Sequence, residues 1–166
     1  GDFIVYLGTE PVIIDAGRGN YTATTFSSRR YTLWFTQSDY HNLPIINGLG
    51  QSAGRQFAAK TVVHEPGSLI MDISSAYPND AGIVSWVRIV SLDRARDQVS
   101  ISDDYSLKRA PTSLQQVFMT ICNVDTSTPG TIKLTTASGK LVVLLYDASA
   151  WSIKVEKPST DGPEYS

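Results

Sequence analysis

IVSWVRIVSL (residues 83–92) is the stretch that decides the fold. Apolar side chains lie on both faces of this segment when it is extended: Ile83, Val87 and Ile89 on one face, and Val84, Trp86 and Val90 on the other. A strand that is apolar on both faces is typical of the middle of a fold. The charged stretch DRARD (residues 93–97) follows and predicts a solvated hairpin turn into the next strand.

Short strand-like segments recur on both sides of this stretch, separated by turn residues about every 8 to 14 positions. The predicted strands are residues 3–7, 11–14, 31–36, 43–46, 56–63, 68–73, 83–92, 98–103, 114–121, 131–136, 140–146 and 151–156. Residues 74–82 are rich in Pro, Asn, Asp and Gly and predict a connection with about one helical turn. The pattern therefore predicts an all-β protein, an antiparallel sandwich or layered sheet of about twelve strands. We expect one β-sandwich domain over residues 1–156 and a flexible tail over residues 157–166.

The composition excludes several classes of function. The 166 residues are 42% hydrophobic and 18% charged, with a net charge of −2. No run of basic residues exceeds the pair Arg29–Arg30, so we expect no nucleic-acid or membrane partner. The longest apolar run, residues 141–146, is far shorter than the ~20 residues that span a bilayer. The single cysteine, Cys122, cannot form an internal disulfide and is predicted to be a small buried side chain.

Residues that carry chemistry concentrate between Ile14 and Gln51. Asp15 ends an apolar strand and precedes a Gly-Arg-Gly loop, and His41 follows a second apolar run. Most Asp residues at strand ends cap turns, and most lone histidines have no ligand role. The same two residue types are also zinc ligands, although zinc usually takes three or four protein ligands. The remaining histidine, His64, precedes Glu-Pro-Gly and is predicted to lie at the surface.

Other catalytic signatures are absent from the sequence. It contains no phosphate-binding glycine loop, no HExxH zinc motif and no GxSxG nucleophile elbow. Asp103 and Asp104 are adjacent on a predicted strand, so their side chains point to opposite faces, which excludes a glycosidase carboxylate pair.

Several phrases of the sequence together point to a family. They are DAGRGNYT (15–22), SRRY (28–31), YHNLPIINGLGQ (40–51), MDISSAYP (71–78) and WVRIVSLDR (86–94). Over residues 1 to 121 the chain resembles the heparinase II/III-like polysaccharide lyases. That family joins an α/α toroid to an antiparallel β-sheet region, and the resemblance implies that this chain is the β-sheet region. A His-Asn-His-Asn-Asp motif is expected just upstream of Gly1, in agreement with the missing initiator Met and signal peptide.

The resemblance implies a function and a set of site residues. The family cleaves uronate-containing glycans by β-elimination, and its catalytic tyrosine belongs to the toroid, so no catalytic residue is expected in this chain. Asp15 and His41 match its zinc ligands. Arg18, Tyr21, Arg29 and Arg30 are candidates to contact an acidic polysaccharide, because an arginine fork donates two parallel hydrogen bonds to carboxylate or sulfate. The arginines are equally suited to pairing with acids at an interdomain surface. A periplasmic or secreted parent protein is implied.

Two other hypotheses remain open from the sequence. In the first, the chain is a non-catalytic carbohydrate-binding or scaffold sandwich whose sugar-stacking platform is formed by Tyr21, Tyr31, Trp34 and Tyr40. In the second, it is an interaction module without a sugar ligand. An apolar face left bare by the missing toroid would then drive self-association.

Overall fold

The computed structural model describes residues 1–163, and antiparallel strands dominate that range. The strands are β1 (Val5–Leu7), β2 (Glu10–Ile13), β3 (Pro44–Ile46), β4 (Lys60–Glu65), β5 (Ser68–Asp72), β6 (Ile83–Asp93), β7 (Gln98–Leu107), β8 (Leu114–Gln116), β9 (Asn123–Asp125), β10 (Thr131–Thr135) and β11 (Leu141–Leu145). The helices are short 3-10 turns at Ser28–Thr32, Trp34–Thr36, Ser38–Tyr40, Ser74–Ala76 and Asn79–Ala81. The all-β prediction is confirmed. Within residues 1–163, no helix has the length and apolar character needed to cross a membrane.

The chain divides into two compact units. Unit 1 comprises residues 1–2 and 37–117. Unit 2 comprises residues 3–36 and the part of residues 118–166 that the structure describes. The expected domain over residues 1–156 and its tail stay predictions, and residues 164–166 of that tail lie outside the described range.

Unit 1 is built on a four-stranded sheet in the order β4-β5-β6-β7, with β3 and β8 forming a separate pair. Trp86 in β6 is 2% exposed, and its ring stacks on that of Tyr105 in β7 with centroids 4.5 Å apart. The buried core around it consists of Ile46, Met71, Ile73, Ala76, Tyr77, Ala81 and Trp86. The connection that was predicted at residues 74–82 contains two 3-10 turns and contributes Ala76, Tyr77 and Ala81 to this core.

Strand β6 lies between β5 and β7, as its apolar pattern predicts. Its most buried side chains are Trp86 and Arg88, which share one face of the strand. Val84 is 60% exposed, because a register shift between Ile83 and Ser85 makes a bulge there. A fully buried arginine in the middle of this strand is the feature that the apolar pattern did not predict.

Unit 2 contains the predicted β1–β2 hairpin and a three-stranded sheet in the order β11-β10-β9. Gly8 closes the hairpin with φ of 64°, a conformation that glycine adopts without a steric penalty. The buried residues Val12, Ile13 and Leu134 form the core of this unit. Cys122 is half-buried and packs against that core.

Two predicted strands are wrong. Residues 31–36 form 3-10 turns, because local side-chain hydrogen bonds compete with a sheet ladder there. Ser27 Oγ accepts from Arg29 N at 3.1 Å, and Thr36 Oγ1 donates to Arg30 O at 2.7 Å. Residues 151–156 form no strand, although their alternating pattern predicts one. Alternation is a local property, whereas a strand also needs a partner.

Candidate functional site

An arginine-rich segment of unit 2 contains all the residues that the sequence assigned to substrate binding. Between Ala16 and Thr36 the chain has three arginines and no acidic residue. Arg18 Nη1 donates to Tyr21 Oη at 3.2 Å, and its Cζ lies 5.3 Å from the centre of the Tyr21 ring. Arg30 Cζ lies 5.3 Å from the Tyr31 ring in the same way. The segment therefore presents guanidinium groups beside aromatic rings, which is the arrangement of cation–π pairs.

The arginines and the two tyrosines of this segment are open to solvent. Tyr21 is 61% exposed and packs against Phe26, with ring centroids 5.5 Å apart, and Tyr31 is 50% exposed. Arg29 and Arg30 lie in the Ser28–Thr32 turn and are both exposed. Exposed arginine forks and tyrosine rings are suited to acidic groups and sugar faces, respectively. We name residues 16–36 the arginine segment.

The aromatic platform predicted from the sequence is present only in part. Tyr21 and Tyr31 are exposed members of the arginine segment, whereas Trp34 is half-buried and packs edge-on against Phe35, 5.9 Å away. Tyr40 is half-buried and belongs to unit 1. The structure thus supplies two exposed tyrosines in one unit rather than a continuous platform of four rings.

Asp15 lies two residues after the end of the β1–β2 hairpin in unit 2 and is exposed. Its Oδ1 accepts a hydrogen bond from Gly17 N at 2.6 Å, and Gly17 has φ of 73°. This is the local turn that an aspartate stabilises through the backbone two residues later. The preceding residue, Ile14, donates its N–H to Met119 O at 2.9 Å and fixes the end of the strand.

His41 lies in unit 1 at the end of the Ser38–Tyr40 turn, with its N–H donating to Ser38 O at 3.2 Å. Its Nδ1 is 3.5 Å from Asp2 Oδ2. Asp2 is also fixed by its other oxygen, because Oδ1 accepts from Asn42 N at 2.8 Å. The structure therefore pairs His41 with an acid of the same unit that the sequence reasoning missed.

The Asp2–His41 contact is a close one between an acid and a histidine. His41 Nδ1 and Asp2 Oδ2 are 3.5 Å apart, a little beyond the ~2.7–3.2 Å of an ordinary N–H···O hydrogen bond. A carboxylate oxygen and an imidazole nitrogen are also the donor types that zinc takes.

The buried Arg88 holds the two backbone segments that bear this pair. Its Nη1 donates to Asn42 O at 2.8 Å and to Gly1 O at 3.0 Å. Asn42 follows His41 and Gly1 precedes Asp2, so one guanidinium fixes the neighbours of both side chains. Arg88 is thus a positioning residue for the pair.

The other donors of Arg88 are also satisfied. Nε and Nη2 donate to the two carboxylate oxygens of Asp103 at 2.8 and 2.7 Å, and Nη2 also donates to Gln116 Oε1 at 2.8 Å. All five N–H groups of the guanidinium therefore have acceptors, as a fully buried arginine requires. A charged residue inside the apolar phrase VRIV is the sequence signal that indicates such a network.

Asp15 and His41, the two metal ligands expected from the sequence, belong to unit 2 and unit 1, respectively. His64 is exposed in β4, as predicted. Asp103 and Asp104 separate as predicted, with Asp103 turned to Arg88 and Asp104 exposed. A scan against models of known protein families found none that matches this chain, and a search of curated proteins found no match either.

Proposed function

We propose that this chain is the β-domain of a polysaccharide lyase that cleaves uronate-containing glycans by β-elimination. The observation that supports the proposal most directly is the exposed arginine segment. Arg18, Arg29 and Arg30 are suited to the carboxylates or sulfates along an acidic glycan, since each guanidinium offers a planar pair of donors. Tyr21, 61% exposed beside Arg18, offers a ring face to a sugar.

The chemistry of β-elimination explains why such a surface is useful. A base removes the proton next to a carboxylate, the charge of that carboxylate is neutralised, and an acid protonates the leaving oxygen. Arginines that bind the carboxylate disperse the negative charge that develops beside it. In the family that this chain resembles, the catalytic tyrosine lies in the toroid. We therefore expect binding, but no turnover, from the 166-residue chain alone, in a parent protein that is periplasmic or secreted.

Zinc is the cofactor in this proposal, with Asp15 and His41 as ligands on the strength of the sequence resemblance. Within unit 1, Asp2 adds a carboxylate oxygen 3.5 Å from His41 Nδ1. When bound, zinc supplies a fixed positive charge next to an anionic substrate. Arg88 keeps the backbone beside Asp2 and His41 in place through its bonds to Gly1 O and Asn42 O.

Glycan binding tests the proposal. We would titrate the chain with a uronate oligosaccharide and with a neutral oligosaccharide of the same length, using isothermal calorimetry. The uronate ligand should bind, and Arg29→Ala/Arg30→Ala should weaken it about tenfold or more, the loss expected for charge-assisted hydrogen bonds. The control, Arg94→Ala/Arg96→Ala, removes two exposed arginines from the β6–β7 turn and should leave the affinity unchanged.

A second candidate is a non-catalytic carbohydrate-binding module. The exposed rings of Tyr21, Phe26 and Tyr31 favour it, because sugar stacking needs no charge. Equal binding of neutral and uronate oligosaccharides, lost in Tyr21→Ala but retained in Arg29→Ala/Arg30→Ala, would select this function over the lyase domain.

A further inference from the structure

A polar cleft of about 570 Å³ opens at one end of the four-stranded sheet of unit 1. The sheet topology explains why its walls meet there. β4 begins at Lys60 and β6 begins at Ile83, whereas β5 ends at Asp72 and β7 ends at Leu107. Because neighbouring strands are antiparallel, these four positions share one end of the sheet.

The chemistry of the cleft is cationic. Lys60 and Lys108 line it, together with Gln56, Ser74, Ser75 and Asn79, and no carboxylate does. Neither lysine has a carboxylate within 4.0 Å among the residues that the structure describes. Asp72 lies opposite Lys60 in the β4–β5 pairing, where it interacts with the charge of Lys60 and accepts from Ser74 N at 2.9 Å through its Oδ1. In the described part of the chain, both lysines thus line the cleft without a direct carboxylate contact.

The two lysines lie at opposite edges of the sheet. Lys60 begins the edge strand β4, and Lys108 directly follows the other edge strand, β7, where its N–H donates to Gly82 O at 2.8 Å. Three strand spacings of ~4.8 Å separate these edges by roughly 14 Å of backbone. Lysine side chains are long and flexible, so both ammonium groups can reach an anionic ligand that lies between them in the cleft.

Both strands that begin at the cleft are irregular at that point. The β4–β5 register shifts between Lys60 and Val63, and Thr61 has φ of 48°. The β6–β7 register shifts between Ile83 and Ser85. A β-branched residue in the left-handed region is strained, and bulges beside sites serve to redirect side chains. Lys60 thus precedes a strained residue at the mouth of a cleft.

Between the lysines the cleft offers hydroxyl, amide and ring surfaces. Tyr77 is 4% exposed, and its hydroxyl donates to Pro44 O at 2.7 Å, so its ring is a fixed wall. Phe57 and Pro78 add further apolar surface, while Ser74, Ser75 and Asn79 offer hydrogen-bond partners. The volume of the cleft falls within the ~300–1,000 Å³ range of ligand sites in proteins, and its mostly polar lining favours a polar ligand.

We propose that this cleft is an anionic-oligosaccharide site, separate from the arginine segment. Carboxylate or sulfate groups of the ligand contact Lys60 and Lys108, and its hydroxyls contact Ser74, Ser75 and Asn79. The cationic character of the cleft follows from the structure of unit 1. The choice of a sugar as the carrier of the charges rests on the proposed function.

Amide chemical shifts of the isotope-labelled 166-residue chain test the proposal. Titration with a uronate tetrasaccharide should shift the amides of residues 74–77, of Asn79 and of Lys60. Lys60→Ala/Lys108→Ala should reduce the affinity at those amides about tenfold or more, and Lys60→Arg/Lys108→Arg should retain it. The control, Lys154→Ala/Lys157→Ala, removes two exposed lysines of unit 2 and should change nothing.

Three results would overturn the proposal, and they separate it from the proposed function. Shifts confined to residues 16–36 and abolished by Arg29→Ala/Arg30→Ala would remove the cleft site while keeping the lyase domain. Cleft shifts that persist at full affinity in Lys60→Ala/Lys108→Ala would exclude the lysines as the anion contacts. Inorganic sulfate that reproduces the shifts at the same affinity would exclude a sugar as the preferred ligand.

Discussion

The carboxylate of Asp103 accepts two parallel hydrogen bonds from Arg88, at 2.8 Å from Nε and at 2.7 Å from Nη2. Arg88 is fully buried, and 17% of the Asp103 side chain is exposed. This two-point geometry orients the guanidinium so that Nη1 reaches Gly1 O and Asn42 O. One ion pair between neighbouring strands thereby determines the backbone around Asp2 and His41.

Replacing Arg88 by Ala should destabilise the protein by about 3–5 kcal/mol, because it leaves the Asp103 charge without its partner. It also removes the donors to Gly1 O and Asn42 O. Urea unfolding followed by circular dichroism measures the change. Lys in place of Arg should not restore stability, since an ammonium cannot make the two parallel bonds.

The matched control is Arg96→Ala. Arg96 Nη1 lies 3.7 Å from Asp93 Oδ2 in the exposed β6–β7 turn. An exposed pair contributes only about 0–1 kcal/mol, so this variant should unfold almost as the wild type does. Equal losses in the two variants would contradict the structural importance assigned to Arg88.

Asp2→Asn separates the structural and ligand contributions of Asp2. The amide oxygen can still accept from Asn42 N, so the thermal midpoint should stay within about 2 °C of wild type. The substitution removes the negatively charged oxygen that Asp2 offers to zinc, so zinc affinity should fall at least ~10-fold. Competition with a chromogenic chelator measures it, with His41→Ala as the companion variant. Unchanged zinc affinity in a folded Asp2→Asn protein would show that Asp2 is not a zinc ligand.

Glu10 makes folding stability depend on acid pH. Its Oε1 lies 2.6 Å from Lys140 Nζ, and Ser138 Oγ donates to the same carboxylate. The Lys140 contact, with smaller contributions from Thr136 and Ser138, lowers the pKa of Glu10 to about 2 from an ordinary 4.5. Because the folded pKa is the lower one, the stabilisation is present above pH 4.5 and is lost as the pH falls towards 2.

Glu10→Gln should therefore have a lower thermal midpoint than wild type at pH 6, and the two should converge between pH 4.5 and 2. Circular dichroism melts at stepped pH values measure the difference. Lys140→Ala should give the same pH-dependent loss, and the double variant should add little more. A difference that stays constant down to pH 2 would show that the carboxylate is not the group responsible.

We expect the protein to self-associate through strand β11 as its concentration rises. It is an edge of its three-stranded sheet, and Leu141, Val143 and Leu145 are exposed on one face by 55%, 43% and 79%. An exposed apolar edge strand is a template for pairing with another chain. Val143→Lys should shift the sedimentation-velocity distribution towards monomer. The control is Ser149→Lys, which places a lysine at an exposed position outside β11. Thr135→Lys would not serve, because Thr135 is half-buried in the central strand β10.

Thr61→Gly should stabilise the protein. Relief of the strained φ of 48° is worth about 1–3 kcal/mol, and the extra chain entropy of Gly costs roughly 0.5–1 kcal/mol. Urea unfolding should therefore give a net gain of about 1 kcal/mol. Ser102→Gly, at an exposed position within β7, should instead lose about 0.5–1 kcal/mol. A loss in both variants would show that Thr61 is not strained.

The sequence predicts those parts of the fold that depend on local patterning. The β1–β2 hairpin, the long strand β6 and the β6–β7 turn follow from alternation and turn residues. Residues 31–36 alternate equally well, yet the hydroxyls of Ser27 and Thr36 bond to nearby backbone and favour 3-10 turns. Strand β9 was missed, because Asn123 and Asp125 have low strand propensity and pair with β10 only through tertiary packing.

The candidate sites also differ in how far the sequence predicts them. The arginine segment is predicted from the sequence because its residues are close neighbours along the chain. The Asp2–His41 pair and the lysine cleft were not predicted, because they depend on which distant segments of the chain meet in space. Neither Asp2, at the second position, nor Lys60 and Lys108, 48 positions apart, has a local pattern that indicates a partner.

The residues that accept hydrogen bonds from Arg88 are far apart in the sequence. Arg88 is 15 residues from Asp103, 28 from Gln116, 46 from Asn42 and 87 from Gly1. Each long loop that closes has an entropic cost before its contacts stabilise it, and non-local contacts slow folding. The bonds from Arg88 to Asn42 O and Gly1 O close the longest loops of this network and therefore carry its largest loop-closure cost. The arrangement of the Asp2–His41 pair thus depends on a residue that is far away along the chain.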